Sequence, residues 1–334
     1  MHAFDYQAPS TLTEACQLLA SHTGKARLLA GGTDLIDQMR VGRLTPELLI
    51  DVKKLNELNV LACGSDGLRV GAAVPCYRIY EDRSVNEQYS ALADSCRIIG
   101  GIQIQSRASI GGNLCNSGPA ADSSPSMIAL QGVCVISGPS GQREVAVEAF
   151  CTGPGKNVLE VGELLVELRF PQQTANSGSH YRRMIPRNEM DIAVVGVGVH
   201  VELDESRENF VSARIALGAV APTPLLAKEA GDLLAAQPVS ESAFSQAAEA
   251  AREIISPIAD NLTTALLMCA VVMKVAGDNS RFINIACINI VIAANAGGAF
   301  SPFGDITTLM VWQAGHVSFA QFMPLFIPSV VSYV

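Results

Sequence analysis

From residue 282 to residue 334 the chain carries one formally charged side chain, Asp305, yet holds the sole tryptophan, Trp312, and six of the eleven phenylalanines. A water-exposed domain needs charged surface, so this segment cannot share one folding plan with the residues before it, and the chain divides near residue 260. Residues 262–276 are a short apolar run. Residues 282–300 and 317–334 each approach the ~20 apolar residues that cross a bilayer. Between them lies a Pro/Gly-broken polar stretch, residues 301–308. An apolar helical tail is expected over residues 259–334, with membrane association through residues 282–334.

Upstream of the break the charges are spread as in an ordinary globular protein, and the whole chain has a formal net charge of -9. That balance argues against nucleic acid as a partner, and no run of lysine or arginine overturns it. None of the nine cysteines forms a Cys-x-x-Cys pair, and no His/Cys cluster has zinc spacing. An iron–sulfur cluster or other metal on this chain is therefore not expected, and reduced thiols in a cytoplasmic protein are. The start, Met-His-Ala-Phe-Asp-Tyr, lacks the basic and apolar regions of a signal peptide.

The patterning predicts three mixed units, over residues 1–56, 57–176 and 177–258. In the first, Thr11 with Glu14 fits a capping box, and Leu12, Ala15, Leu18 and Leu19 make one helical face. Strands are expected over 27–30 and 48–52, with a helix over 35–40 capped by Thr33 or Asp34. In the second, strands are expected over 68–74 and 163–170, helices over 89–99 and 126–130, and a hairpin of 133–137 with 144–147 across Gly138-Pro139-Ser140-Gly141. In the third, paired strands cover 192–203 and 212–219, and amphipathic helices lie near 225–236 and 241–255.

Two glycine loops stand out. The first is Leu28-Leu29-Ala30-Gly31-Gly32-Thr33-Asp34-Leu35. The second, read as a long loop over residues 109–122, opens Ser109-Ile110-Gly111-Gly112-Asn113, passes Ser117 and closes on Asp122. Backbone N–H groups can hold a phosphate chain without a basic side chain if the backbone comes close, and glycine permits the approach. Gly31 and Gly32 would form one wall and Gly111 and Gly112 the other, with Asn113, Ser117 and Asp122 facing ribityl or sugar hydroxyls. Neither loop fits Gly-x-Gly-x-x-Gly or the phosphate-loop pattern, which disfavours a Rossmann domain or a nucleotide hydrolase. The histidines (His2, His22, His180, His200, His316) are scattered and read as surface or satisfied core residues. Cys115 reads as core filler rather than a redox thiol. Arg182, Arg183 and Arg187 form a basic patch, either a solvated strand edge or an attractor for a flavin or pyridine nucleotide.

The order Ala-Gly-Gly-Thr-Asp-Leu, then Ser-Ile-Gly-Gly-Asn-Leu-Cys-Asn-Ser-Gly-Pro-Ala-Ala-Asp, then Pro186-Arg187-Asn188-Glu189-Met190-Asp191-Ile192-Ala193 resembles the FAD-binding medium subunits of molybdenum hydroxylases, the family of xanthine dehydrogenase and carbon monoxide dehydrogenase. The resemblance covers residues 3–258. It implies an α+β, FAD-binding PCMH-type fold of two α/β subdomains plus a small, here truncated, α+β C-terminal domain. It implies FAD held by residues 28–35 and 109–113, with Asp122 reaching the ribityl or adenosine part and Ile99, Leu165 and Arg183 lining the flavin. It also implies an oxidoreductase component that takes electrons from [2Fe–2S] clusters on a small subunit, reduced in turn by a molybdopterin-binding large subunit, and passes them to NAD+ or another acceptor. No residue of this chain is expected to be catalytic in its own right, since the cofactor carries the chemistry.

The tail, from Asp260-Asn261-Leu262 through Asp305-Ile306-Thr307-Thr308 to Trp312, resembles bacterial sodium/proton antiporters of the NhaD type. In an intact antiporter Asp305, Thr307 and Thr308 would lie near the ion path. Two or three spans cannot build the inverted repeats of a carrier, so transport is not expected. The alternative reading of the chain is a membrane-associated antiporter remnant fused to a flavin domain, by true fusion or by artefactual joining.

Overall fold

The computed structural model describes residues 1–187 and 190–255; the apolar tail with Asp305, Thr307, Thr308, Trp312 and His316, its two span-length segments, and Asn188-Glu189 lie outside the described residues. Three strands, Asp5–Gln7, Leu48–Asp51 and Ala26–Leu29, form a parallel sheet with Leu48–Asp51 at its centre. All four central residues are buried, as expected of a strand covered on both faces. Helix Leu12–Ser21 starts where Thr11 Oγ1 accepts the Glu14 N–H at 3.2 Å. The Glu14 carboxylate reaches back one residue further than a standard capping box, to the Ser10 N–H at 2.9 Å. Ala15 and Cys16 bury the inner face of this helix.

The second sheet is antiparallel, in the order Leu61–Gly64, Gly67–Gly71, Leu164–Phe170, Val133–Gly138, Gly141–Ala146. Its central strand is almost wholly buried and ends before Pro171, as the sequence suggested. The expected strand over 68–74 stops at Gly71, whose missing side chain lets the backbone of Leu58 pass; an added Cβ would stand 2.3 Å from the Leu58 carbonyl. The hairpin is tighter than expected, closing on Pro139-Ser140 alone, and Val147 begins a short helix, Val147–Phe150, instead of ending a strand. Helix Ser90–Ile98 is preceded by two unforeseen short helices, Cys76–Glu81 and Arg83–Gln88. Helix Ser123–Ala129 starts earlier than expected and takes Pro125 into its first turn, where a missing N–H costs nothing.

A third, antiparallel sheet runs Ser177–Met184, Val195–Leu203, Phe210–Gly218, Leu225–Leu226. The two central strands were legible; Ser177–Met184 was not, because its Ser-Gly-Ser-His start carries no β signal. The helix expected near 225–236 is only Lys228–Asp232, since Leu225 and Leu226 join the sheet. Helix Glu241–Ile255 follows. Residues Met1–Ala251 belong to one compact unit, and the continuous core reaches from Ala15 to Ala216. Among the described residues no helix is long and apolar enough to cross a membrane.

Candidate cofactor site

The strand Ala26–Leu29 feeds Leu28 and Leu29 into the first glycine turn, and helix Leu35–Arg40 leaves it. Gly32 turns the chain with a φ of +75°, a left-handed conformation that disfavours any side chain. Gly31 is pressed against the chain just ahead of the second loop. An added Cβ there would stand 2.2 Å from the Arg107 carbonyl oxygen, and Arg107 Nε donates to the Gly31 carbonyl at 3.2 Å. Gly31 and Arg107, 76 residues apart in sequence, therefore abut, which sets the first motif beside the residues that lead into the second. Gln38 Nε2 adds a longer tie to Asn116 Oδ1 at 3.4 Å.

The second motif is not the long loop expected. Residues Ile110–Asn116 are helical, despite two glycines. Ser109 caps the helix, its Oγ accepting the Gly112 N–H at 3.1 Å, and Ser117 ends it in the left-handed region with φ +50°. Tertiary packing overrides the low helix propensity of glycine here. Gly111 lets the helix lie on Ala72, whose carbonyl oxygen would be 2.5 Å from an added Cβ. Gly111 thus serves packing, and the Gly112 amide is already engaged by its cap. Gly112 is exposed, and an added Cβ there would meet only Ser109 Oγ, at 3.1 Å, so the helix start is open to a ligand on that side. Ile110 and Gly111, also in the first turn, are buried, and the chain just ahead of them pairs with Pro75 in an antiparallel bridge.

Asp34 stands at the cap position of helix Leu35–Arg40, but its side chain makes no capping bond. Loss of solvent, then the Asp37 charge, raises the Asp34 carboxyl above its usual range. An acid that protonates more readily sits more easily beside a bound anion than a fully ionised one.

The second motif joins a buried polar cluster. Asn113 Oδ1 accepts the Ser123 hydroxyl at 2.6 Å. The neighbouring Asp122 splits its carboxylate between two donors on strand Ser177–Met184: Tyr181 Oη to Oδ1 at 2.9 Å and Arg183 Nη1 to Oδ2 at 2.8 Å. The Arg183 side chain is 7% exposed and that of Asp122 12%. Burial raises the Asp122 carboxyl, opposed by the Arg183 charge and by both hydrogen bonds. Tyr181 was not singled out by the sequence; a tyrosine two residues before an arginine on one strand face was the available signal.

Other sequence-selected residues fall elsewhere. Ser117 is buried and donates its hydroxyl to the Leu114 carbonyl at 3.1 Å, turned inward rather than toward a ligand. Ile99 and Leu165 are both part of the buried core. The three arginines of the basic patch differ in setting: Arg182 is exposed, the Arg183 side chain is buried against Asp122, both line one open groove, and Arg187 pairs with Asp191 at 3.2 Å. Successive strand residues point to opposite faces, which leaves Arg182 exposed and turns Arg183 inward. Burial, then Cys151, pushes the Cys115 thiol up to about 12, which makes it a poor nucleophile. Among the histidines, His180 pairs with Asp94 at 2.7 Å at the rim of an open groove of about 390 Å³, and His200 is buried with Nε2 unpartnered among the described residues.

A cofactor carrying a diphosphate fits these residues, because the cradle combines a left-handed turn at Gly32, a helix start fixed by the Ser109 cap and an exposed glycine, Gly112, against which little protein packs. The comparisons with known proteins agree. The sequence profile of the FAD binding domain in molybdopterin dehydrogenase matches residues 2–173, and that of the CO dehydrogenase flavoprotein C-terminal domain matches residues 179–266. The xanthine dehydrogenase FAD-binding subunit of Escherichia coli O157:H7 is 34% identical over 254 residues, 75% of this chain and 86% of that protein. In structure, CO dehydrogenase from Oligotropha carboxidovorans matches with a TM-score of 0.72 at 30% identity, over 76% of this chain and 87% of that one. The tail matches different proteins. A citrate transporter profile covers residues 251–334, and the sodium/proton antiporter NhaD of Vibrio parahaemolyticus is 85% identical over 81 residues, 24% of this chain. The chain spans about a fifth of the length of that antiporter, 20%. The fold, the paired glycine motifs and these matches together make the chain a member of the FAD-binding subunit family of the molybdopterin dehydrogenases, carrying an NhaD-like fragment at its C-terminal end.

Proposed function

We propose that residues 28–35 and 109–113 hold the diphosphate of FAD from two sides, with Asp122 and Arg183 near its sugar or ring portion and Ile99 and Leu165 backing that pocket from the core. The observation that carries this reading is the backbone contact between Gly31 and Arg107, which sets the first glycine turn beside the capped start of helix Ile110–Asn116. Positive partial charge at the helix start favours an anion there. When bound, FAD supplies reversible electron uptake. The chain's own residues bind, orient and shield it: Gly32 holds the turn, Ser109 holds the helix start, and the Asp122–Arg183 pair presents a fixed charge pattern.

On this reading the chain takes electrons from a [2Fe–2S] subunit served by a molybdopterin-binding large subunit, and yields them to NAD+ or another acceptor in the cytoplasm. Residues 1–56 and 57–176 are the two flavin subdomains, and 177–258 a shortened third domain. The test is a titration of the purified full chain with FAD, followed by quenching of flavin fluorescence. Gly112→Val, whose Cβ would meet only the Ser109 cap oxygen, at 3.1 Å, should weaken binding about tenfold or more while lowering the melting temperature of the free chain no further than Ser109→Ala does. Unchanged affinity would remove the second motif from the site.

The antiporter match supports a second property. Residues 282–334 draw the chain to membranes without transporting ions, since a fifth of an antiporter lacks the paired repeats of a carrier. Sedimentation of the expressed chain with membrane vesicles, and its release by detergent, checks this. A chain that stays in the supernatant overturns it.

A further inference from the structure

Tyr181 and Gly196 form a matched pair beside Asp122 that the flavin reading does not require. Arg183 lies opposite Gly196 in the antiparallel register, and Tyr181, two residues earlier, reaches across toward the same glycine. An added Cβ on Gly196 would stand 2.5 Å from Tyr181 Oη and 3.3 Å from Cζ. The absent side chain therefore makes the seat for the phenol. The Tyr181 N–H also donates to Asp94 Oδ2 at 3.3 Å, and the residue is only 4% exposed. So seated, the hydroxyl can reach one carboxylate oxygen of Asp122 while Arg183 takes the other. Each oxygen keeps a further lone pair for an outside donor.

We propose that Tyr181, seated over Gly196, is a positioning residue for FAD: it aims the Asp122 carboxylate and holds it ready to accept a cofactor hydroxyl. This rests on the reading that Asp122 meets the cofactor. The phenol also opposes the effect of burial on Asp122, so its removal leaves Arg183 alone to keep the carboxylate charged.

The experiment measures FAD affinity of the full chain between pH 5 and pH 8 by fluorescence quenching, with melting temperatures recorded in parallel. Tyr181→Phe should weaken binding about tenfold, the loss of one hydrogen bond to a charged group. It should also move the acidic fall-off of binding to higher pH, which a general loosening of the fold would not do. Gly196→Ala should reproduce both effects with Tyr181 in place. In the Tyr181→Phe background the same alanine should add little, because the atom it would strike hardest, at 2.5 Å, is gone and the ring carbons stand at 3.3 Å or more. Asp122→Asn separates the two levels. If it binds FAD as the parent does, the reading of the site fails and the inference with it. If it binds weakly but Tyr181→Phe and Gly196→Ala retain the parent affinity and pH profile, the inference alone is overturned. Should Tyr181→Phe not fold, the pH profile of Gly196→Ala decides by the same criteria.

Discussion

The Asp122–Arg183 pair shows how much rests on single side chains. Both partners are almost wholly buried, so each needs the other to remain charged at low cost. Arg183→Met leaves a buried carboxylate with only the Tyr181 hydroxyl, and should destabilise the chain by about 3 kcal/mol in urea unfolding. Replacing both residues with apolar ones of similar volume should recover most of that loss, since the uncompensated charge disappears. Sequence reading reached Asp122 and Arg183 separately, one as the end of a glycine motif and one by resemblance. That they bind each other follows from strand Ser177–Met184 lying against the start of helix Ser123–Ala129, a juxtaposition 61 residues long in sequence. Local patterning has no access to such a contact.

Among the elements, helix Ile110–Asn116 departs furthest from what its residues suggest. Its glycines look like loop signals, yet Ser109 caps it and Gly111 allows it to lie on Ala72. Ser109→Ala should cost about 1 kcal/mol of stability, the usual value of a lost N-cap, and free the Gly112 amide. Gly111→Ala should cost about 1–3 kcal/mol, because the backbone of residue 72 cannot yield as a flexible side chain would. Chemical denaturation of the two variants checks the order: the cap variant should be the milder. Helix Leu12–Ser21, by contrast, was legible from its cap and apolar spacing, because both signals are local and nothing distant opposes them.

At the scale of the molecule, pH acts on the layer between helix Ser123–Ala129 and the third sheet. His200, on strand Val195–Leu203, is held below its ordinary pKa by burial, with the Arg214 charge acting in the same direction and Glu202 against it. The unfolded chain therefore binds a proton at His200 more readily than the folded one. Its contribution to stability is complete above about pH 6.5, and falls as pH drops below that toward the folded pKa. The parent should lose more stability than His200→Gln between pH 7.5 and pH 5, measured by urea unfolding at each pH. Equal losses would place the acid sensitivity elsewhere. The sequence by itself was enough to assign the family, the paired glycine motifs, most strands and the foreign tail, because these are carried by contiguous residues, local periodicity and composition. It could not tell which glycines stay open and which pack on protein, nor bury Arg183 against Asp122 while leaving Arg182 exposed, nor seat Tyr181 over Gly196. Those depend on which backbones approach within a few ångströms across long loops, and packing alone makes that choice.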